Sequence, residues 1–367
     1  MNILPKRPIT RRDNVVEDFH GTKVADPYRW LEDDTCPDVQ EWMSMQNKEF
    51  QNYIGQFDVR EEFKTRLTDL LDYARSTVPR LVEGVYYWWH NNGLQNQPVL
   101  YRSVTAYENG EIVLDPNMLS EDGTVAVTTT AYSPCGRYLA YGLSSKGSDW
   151  QRIHLLNLET LEKLPDVLEH LKFTTPCWLP DSSGFFYSCF PAPDTAEVLK
   201  TNATNMMVRL HVLGQEQNAD RLIHKDGENP DWNFTLTSDE DKNWVFLNVW
   251  YGTLRKNKLF YRPLKDLDTP WLPIADNFDD GWDVIGVVND AVYLETQQDA
   301  LFSKVVAAKL TDTGISELQT IIPDRGEMLK DYKLGVVAFC GSVCFRFKIV
   351  ETLRHALSVS TPEFLTV

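Results

Sequence analysis

The spacing of apolar residues changes once along the chain. From residue 37 to residue 71, apolar side chains recur at the three- and four-residue spacing of amphipathic helices. Pro37 suits the first turn of one helix and Gly55 can end it. A second helix is expected from Asp58, with Glu61 completing a capping box. The apolar positions of the two stripes are Val39, Trp42, Met43, Phe50, Tyr53, Ile54, and then Val59, Phe63, Leu67, Leu70, Leu71. Each helix is one-sided and requires a surface to pack against.

After about residue 74, the pattern changes to short apolar segments separated by turns. The turn centres recur every 47 to 58 residues, at Gly84, Gly136, Gly184, Lys242, Asn289 and Gly341. A second series of strand candidates follows these turns, at residues 99–103, 153–157, 208–212, 259–263 and 305–309. One repeat unit therefore holds two hairpins, or four strands.

Four-stranded units with this period are typical of β-propeller blades. A set of β-sandwiches with coincidental spacing is the alternative. We count about six recognisable blades between Leu81 and Val367. The sequence thus predicts a mainly β protein, with an N-terminal helical segment over residues 1–74 and an incomplete propeller over residues 75–367.

Composition excludes some classes of partner. The formal net charge is −17, which disfavours nucleic acid and anionic membranes, because both require a basic surface. The N-terminus lacks the apolar core of a signal peptide. The apolar run from Leu334 to Phe345 is too short and too interrupted to span a membrane. We therefore expect a cytoplasmic protein with reduced cysteines.

No catalytic motif emerges from the residues themselves. A serine hydrolase of the α/β type needs a G-x-S-x-G turn, and the sequence contains none. The seven histidines include no pair at metal-binding spacing, and isolated histidines on strands are interpreted as structural. Asp279, Asp280 and Asp283 lack the rest of a calcium loop and are interpreted as a solvated turn. We expect no metal and no cofactor.

Several long segments, in order along the chain, resemble the prolyl oligopeptidase family of serine peptidases. They are HGTKVADPYRWLED (20–33), GLQNQPVLY (93–101), LDPNMLSEDGTVAV (114–127), AYGLSSKGSDWQRIHLLNLET (140–160) and KLPDVLEHLKF (163–173). The resemblance covers about residues 10–265 and weakens beyond them. It implies a seven-bladed propeller that caps an α/β-hydrolase domain, with the N-terminal helices packed on that domain. The catalytic Ser, Asp and His of the family find no counterpart in this sequence.

The resemblance also implies candidate residues for substrate binding or for the domain interface. Phe173 matches a family aromatic near the substrate, with a buried strand aromatic as the alternative. Asp149 and Trp150 match a loop that faces the hydrolase domain, with an ordinary turn aspartate as the alternative. Asn233 and Thr253 fall where the family tends to place sulfur-containing side chains, so the apolar character of that pocket is in question.

The function implied is that of a propeller that admits short proline-containing peptides to a serine peptidase site. Without catalytic residues, the chain alone is expected to be inactive. Its implied partners are short peptides and an α/β-hydrolase domain. The alternatives are a non-catalytic propeller that binds peptides or proteins, and a nonfunctional gene fragment.

Overall fold

The computed structural model describes residues 8–192, 203–239, 243–327, 334–339 and 342–347. The chain divides into two compact units. The first comprises Met1–Arg75 and Asn91–Gln95, and the second comprises Ser76–His90 and Asn96–Val367.

The first unit contains a small hairpin and two helices. Its elements are β1 (Val16–Phe19), β2 (Thr22–Ala25), a 3-10 turn (Arg29–Glu32), α1 (Pro37–Ile54) and α2 (Val59–Leu71). The Trp42 ring contacts the edge of Trp30 with ring centroids 6.4 Å apart. The Trp42 indole N–H donates to Thr10 Oγ1 at 3.0 Å. These contacts tie α1 to the segment that precedes it.

Both predicted helices are confirmed, but the capping box is wrong. Helix α1 starts at Pro37 and is capped at Gly55, whose N–H reaches the carbonyls of Gln51 and Tyr53. Asp58 lies before α2 with helical backbone angles, and its side chain makes no capping hydrogen bond. A capping aspartate needs extended backbone to turn its carboxylate onto the first N–H groups.

The second unit is built from consecutive antiparallel sheets. The first sheet contains β3 (Arg75–Ser76), β4 (Arg80–Val82), β5 (Val85–Asn91), β6 (Val99–Ser103) and β7 (Glu111–Leu114). The second contains β8 (Val125–Tyr132), β9 (Tyr138–Ser145), β10 (Gln151–Asn157) and β11 (Lys163–Leu171). The third contains β12 (Cys177–Trp178), β13 (Gly184–Cys189), β14 (Met207–Val212) and β15 (Arg221–Lys225).

Two further sheets and a hairpin follow. The fourth sheet contains β16 (Trp232–Ser238), β17 (Trp244–Tyr251), β18 (Lys258–Pro263) and β19 (Leu272–Ala275). The fifth contains β20 (Trp282–Val288), β21 (Ala291–Thr296), β22 (Lys304–Thr311), β23 (Gly314–Ile315) and β24 (Gln319–Ile322). The hairpin pairs β25 (Leu334–Phe339) with β26 (Ser342–Phe347). The mainly β fold of repeated four-stranded units is confirmed, and all five strands of the second predicted series are present.

The observed turns lie at several of the positions predicted from the sequence and differ from the prediction at one. Asn289 and Asp290 both have positive φ, at 50° and 61°, as a two-residue hairpin turn requires. Gly84 and Gly136 also lie in turns with positive φ. Gly184, by contrast, is the first residue of β13, and the turn before it is made by Ser182 at φ 61°. The predicted turns at Lys242 and Gly341 lie outside the described residues.

The core of the second unit lies between neighbouring sheets. Successive residues of a strand point to opposite faces of the sheet, so a sheet that lies between two others packs against both of them. In the second sheet, Leu139 and Tyr141 pack towards the first sheet, whereas Ala140 and Ile153 pack towards the third. Equivalent apolar clusters join the third sheet to the fourth and the fourth to the fifth. This face-to-face stacking of consecutive sheets is the packing of propeller blades.

Candidate functional site

Phe173 lies in the segment that leaves β11 and leads to the third sheet. It is 53% exposed, so the alternative of a buried strand aromatic is wrong. Its backbone φ is +51°, a left-handed conformation that costs a non-glycine residue about 1 kcal/mol or more. Its ring meets Trp250 edge to face, with centroids 6.1 Å apart. The sequence thus places a strained, solvent-facing aromatic at this point.

A small cavity of about 150 Å³ adjoins Phe173. Hydroxyl-bearing, aromatic and aliphatic side chains of the segment before β12 and of the third and fourth sheets line it: Thr174, Thr175, Phe186, Tyr187, Ser188, Thr235, Leu236 and Thr237. No lysine, arginine or carboxylate is among the described lining residues. The cavity therefore favours an uncharged group with hydrogen-bonding capacity.

Asn233 reaches the same region through Trp250. The two residues face each other in the register of β16 and β17, and Trp250 in turn contacts Phe173. The Asn233 side-chain amide donates to the Asp231 carbonyl at 3.3 Å. Two residues predicted from the sequence thus share one contact residue, which the sequence analysis did not identify.

Trp150 also lies near this segment, but it is half-buried. Its ring packs on the edge of Phe190, with centroids 5.8 Å apart. The Lys172 ammonium lies 4.4 Å from the Trp150 ring centroid, within the range of a cation–π contact. Asp149 beside it is exposed. The tryptophan therefore belongs to the packing around the third sheet, and the aspartate carries the accessible charge.

A cluster of aromatic residues lies where β16 begins and β17 ends. Trp232 and Tyr251 face each other in register, and Phe278 contacts both, with ring centroids 5.3 Å and 5.4 Å away. The Lys258 ammonium lies 4.8 Å from the Trp232 centroid. Thr253 is exposed in the loop that follows β17. Aromatic residues at the ends of several strands were the available sequence signal, but their convergence depends on the pairing of strands.

The described residues do not assemble a hydrolytic triad. Ser76 Oγ and His90 Nδ1 lie 2.8 Å apart, which is the distance for a nucleophile and its base. Over the described ranges, however, no carboxylate bonds to His90, and Ser76 lies on a two-residue strand and not on a strand-to-helix turn. The same residues contain no group of three or more His, Cys, Asp or Glu arranged to hold a metal ion. None of the described helices is long and apolar enough to cross a membrane.

Comparison with known proteins shows which family of domains the repeated sheets belong to. The profile described as the prolyl oligopeptidase N-terminal β-propeller domain matches residues 7–345. The chain belongs to this family. The resemblance carried by the sequence segments is thereby confirmed, and the alternative of β-sandwiches is wrong.

The relatives that match this chain are about twice as long as the region over which they match it. Prolyl endopeptidase from Elizabethkingia meningoseptica is 33% identical over 330 residues, covering 90% of this chain and 46% of the relative. The dual function macrocyclase-peptidase of Amanita bisporigera is 32% identical, with 90% and 48% covered. Prolyl oligopeptidase B from Galerina marginata, solved with a hydrolysis and macrocyclization substrate, superimposes with a TM-score of 0.77 at 27% identity, covering 94% of this chain and 51% of that one. The chain spans about half the length of the curated relatives it matches.

Proposed function

We propose that this chain is the propeller part of a prolyl oligopeptidase-type system, which controls the access of short proline-containing peptides to a serine peptidase site. The serine, aspartate and histidine of that site would be carried by an α/β-hydrolase domain. The chain alone is then catalytically inactive. Its four described cysteines form no disulfide with one another, which fits a proposed cytoplasmic location.

The observation that carries this proposal is the apolar face of the two helices. Phe50, Phe63 and Leu67 are 55%, 64% and 54% exposed. Trp42 belongs to the same apolar stripe, but its contacts to Trp30 and Thr10 cover part of it. Contiguous exposed apolar side chains on a helix mark an interaction surface. Because the relatives are about twice as long, the proposed occupant of this surface is a hydrolase domain.

The arrangement around Phe173 supports a role in peptide binding. An exposed ring beside an uncharged, hydroxyl-lined cavity can hold an apolar residue and accept hydrogen bonds from peptide groups. Asn233 and Trp250 adjoin the same ring. Asp149, which is exposed, is available to pair with a basic residue of the second domain.

Complementation with half of a relative tests the proposal. The hydrolase half of the Elizabethkingia meningoseptica prolyl endopeptidase would be purified alone and mixed with this chain. We expect a complex on gel filtration, and a ratio of short-peptide to long-peptide cleavage that rises when this chain is added. Neither protein is expected to show that ratio by itself. Cleavage of a Gly-Pro reporter by this chain alone, together with labelling by a serine-reactive probe, would refute the proposal.

Helix α2 offers a matched pair of variants for the complex. Phe63→Ser removes an exposed apolar side chain from the proposed contact surface, whereas Lys64→Ser changes the adjacent exposed residue. The first variant should weaken the complex at least tenfold, and the second should leave it unchanged. Equal behaviour of the two variants would show that this helix face does not contact the hydrolase half.

A further inference from the structure

A completely buried histidine joins the second sheet to the third. His211 on β14 is 0% exposed. Its Nδ1 lies 2.9 Å from Asp220 Oδ1, and its Nε2 lies 3.1 Å from Asp166 Oδ1 on β11. Both carboxylates are also buried. We call Asp166, His211 and Asp220 the His211 triad.

The proton count of this triad follows from its geometry. A neutral imidazole carries one N–H and can donate to one acceptor only. Asp166 Oδ1 already accepts the backbone N–H of Gly214 at 2.6 Å, and Asp220 Oδ2 accepts the Tyr187 hydroxyl at 2.7 Å. With both carboxylates ionised, each ring nitrogen faces an acceptor and donates to it. The other Asp166 oxygen, Oδ2, is buried and has no hydrogen-bond partner among the described residues. A ring with one proton would instead turn a lone pair towards a carboxylate oxygen. This would happen in the buried contact between the second and third sheets, which we call the seam.

We propose that His211 is held as a doubly protonated imidazolium, and that loss of one of its protons loosens the seam between the second and third sheets. The triad thereby makes this part of the propeller sensitive to alkaline pH. The seam is the responsive element because Asp166 lies on β11 of one sheet, whereas His211 lies on β14 of the other and Asp220 directly precedes β15 of that sheet.

The neighbouring contacts show what the proton controls. The segment that connects β14 to β15 lies along β11 through two hydrogen bonds besides the Gly214 contact. Gln217 Oε1 accepts the Glu169 N–H at 2.9 Å, and Gln217 Nε2 donates to the Glu169 carbonyl at 3.0 Å. Strand β11 ends two residues before Phe173. Loosening this seam would therefore release the base of the segment that positions Phe173.

Other titratable and charged groups also face the triad, but we expect His211 to be the group that changes its protonation state as the pH rises. Burial raises the pKa of the Tyr187 hydroxyl well above its ordinary value, with Asp220 adding to the effect. Burial also raises the pKa of the Cys189 thiol to about 11. Arg209 donates to the Asp220 carbonyl at 3.2 Å. The imidazole ring packs at a tilt against Phe185, with ring centroids 5.4 Å apart.

The direction of the pH response follows from linkage. Burial lowers the pKa of His211, but its hydrogen bonds to Asp220 and Asp166 and their negative charges outweigh burial, so the pKa lies above its ordinary value. A raised pKa contributes stability that is complete below the unfolded value of about 6.5. That stability is lost as the pH rises through the folded value. The response is thus a loss of stability on the alkaline side of about pH 6.5.

Nitrogen NMR of the histidine rings tests the proton count directly. The full-length chain labelled with ¹⁵N would be titrated from about pH 6 to about pH 9.5, a range that spans ordinary histidine titration. The His211 ring, assigned with His211→Gln, should keep two protonated nitrogens at neutral pH and lose one only at higher pH. A single protonated nitrogen at neutral pH would overturn the proposal. If the variant does not fold, the proposal is overturned when none of the seven histidine rings in the wild-type spectrum keeps two protonated nitrogens above the ordinary titration range.

A second measurement separates this switch from general alkaline unfolding. Asp166→Asn keeps the acceptor for Gly214 but removes one negative charge, so the alkaline fall of the unfolding midpoint should move to lower pH by about one unit. His154→Gln is the control, because His154 is half-buried against Tyr141 in the second sheet without a carboxylate partner among the described residues. It should follow the wild-type profile. Identical profiles for Asp166→Asn and wild type would contradict the proposal.

Discussion

The Phe173 and Trp250 rings meet edge to face with centroids 6.1 Å apart, although they come from different repeats. Phe173 follows the second sheet, and Trp250 lies on β17 of the fourth. The third sheet supplies part of the wall of the cavity beside Phe173, through Phe186 and Ser188. The ring contact therefore ties the exposed aromatic side chain that follows the second sheet to the fourth sheet.

Replacing Phe173 separates binding from stability. Because the ring is more than half exposed, Phe173→Ala should lower the free energy of unfolding by no more than about 1 kcal/mol, the loss of one aromatic pair. In the complemented enzyme, KM for a short proline-containing peptide should rise about tenfold, which corresponds to about 1.4 kcal/mol of lost binding. Denaturant unfolding and steady-state kinetics measure the two effects.

Tyr107 provides the matched control for that change. It is also an exposed aromatic with positive φ, 54% exposed at φ 65°, but it lies in the first sheet's β6–β7 connection. Tyr107→Ala also removes the hydrogen bond that the Tyr107 hydroxyl donates to the Thr77 carbonyl at 3.0 Å, so it should cost at least as much stability and leave KM unchanged. A rise in KM with Tyr107→Ala of the same size as with Phe173→Ala would show that the kinetic effect comes from general loosening of the propeller.

Gly184 is required by close packing between two strands. A Cβ added at this position would collide with the backbone carbonyl of His211. His211 precedes Val212, the β14 residue that pairs with Gly184, so its carbonyl cannot move without disturbing the ladder. Gly184→Ala should therefore lower the free energy of unfolding by about 3 kcal/mol. Gly227→Ala is the control, because nothing lies within 4 Å of its added Cβ. Equal unfolding midpoints for the two variants would contradict the packing argument.

Local signals in the sequence predicted helices, strands and turns, but not the contacts between strands. Pro37 and Gly55 bound α1 because a helix start and end depend on nearby residues. Gly184 was predicted to be the centre of a turn. In the structure, the Ser183 N–H bonds to Asp181 Oδ1 at 3.0 Å and makes the turn without the glycine. The need for glycine arises across the strand pair, which no local pattern reveals.

The same limit applies to the candidate site. Phe173 was identified through family resemblance, whereas its partner Trp250 was missed. Likewise, His211 was interpreted as an ordinary strand histidine. Its partner Asp166 is 45 residues away along the chain, and only the stacking of the second sheet on the third brings the two together. Resemblance can indicate individual residues, but contacts between sheets depend on register and on which face each residue occupies.

Arg262 is a buried cation without a carboxylate partner among the described residues. It is 4% exposed, its guanidinium lies 4.1 Å from the Trp271 ring centroid, and its Nε and Nη2 lack hydrogen-bond partners there. Burial, reinforced by Arg221, lowers its pKa to about 10. Arg262→Met keeps the packing on Trp271 and removes the desolvated charge, so it should raise the free energy of unfolding by about 1 kcal/mol.

Arg221→Met serves as the comparison for Arg262→Met in denaturant unfolding. Arg221 is exposed and pairs with Asp268, with Nη2 and Oδ1 2.5 Å apart. Exposed ion pairs contribute at most about 1 kcal/mol, so this variant should be neutral or slightly destabilised. A large loss of stability with Arg262→Met would mean that its guanidinium is satisfied by contacts beyond those described.

His224 should make the propeller sensitive to acid, in the opposite direction to His211. Its ring lies among aromatic side chains, 4.6 Å from Phe234 and 6.2 Å from Trp271 between ring centroids. Burial lowers its pKa to about 4, and the charge of Arg262 adds to the effect. In the unfolded chain, His224 therefore binds a proton at about pH 6.5. In the folded chain, it binds that proton only at about pH 4. Stability is lost as the pH falls through this interval.

His224→Phe tests this acid response, because it keeps an aromatic ring in the cluster and removes the titrating group. The fall in unfolding midpoint between about pH 6.5 and about pH 4 should become shallower than in wild type. His20→Gln changes an exposed histidine of the first unit and should leave the slope as it is. If the slope of His224→Phe equals that of wild type, acid sensitivity in this range arises from carboxylates and not from the buried imidazole.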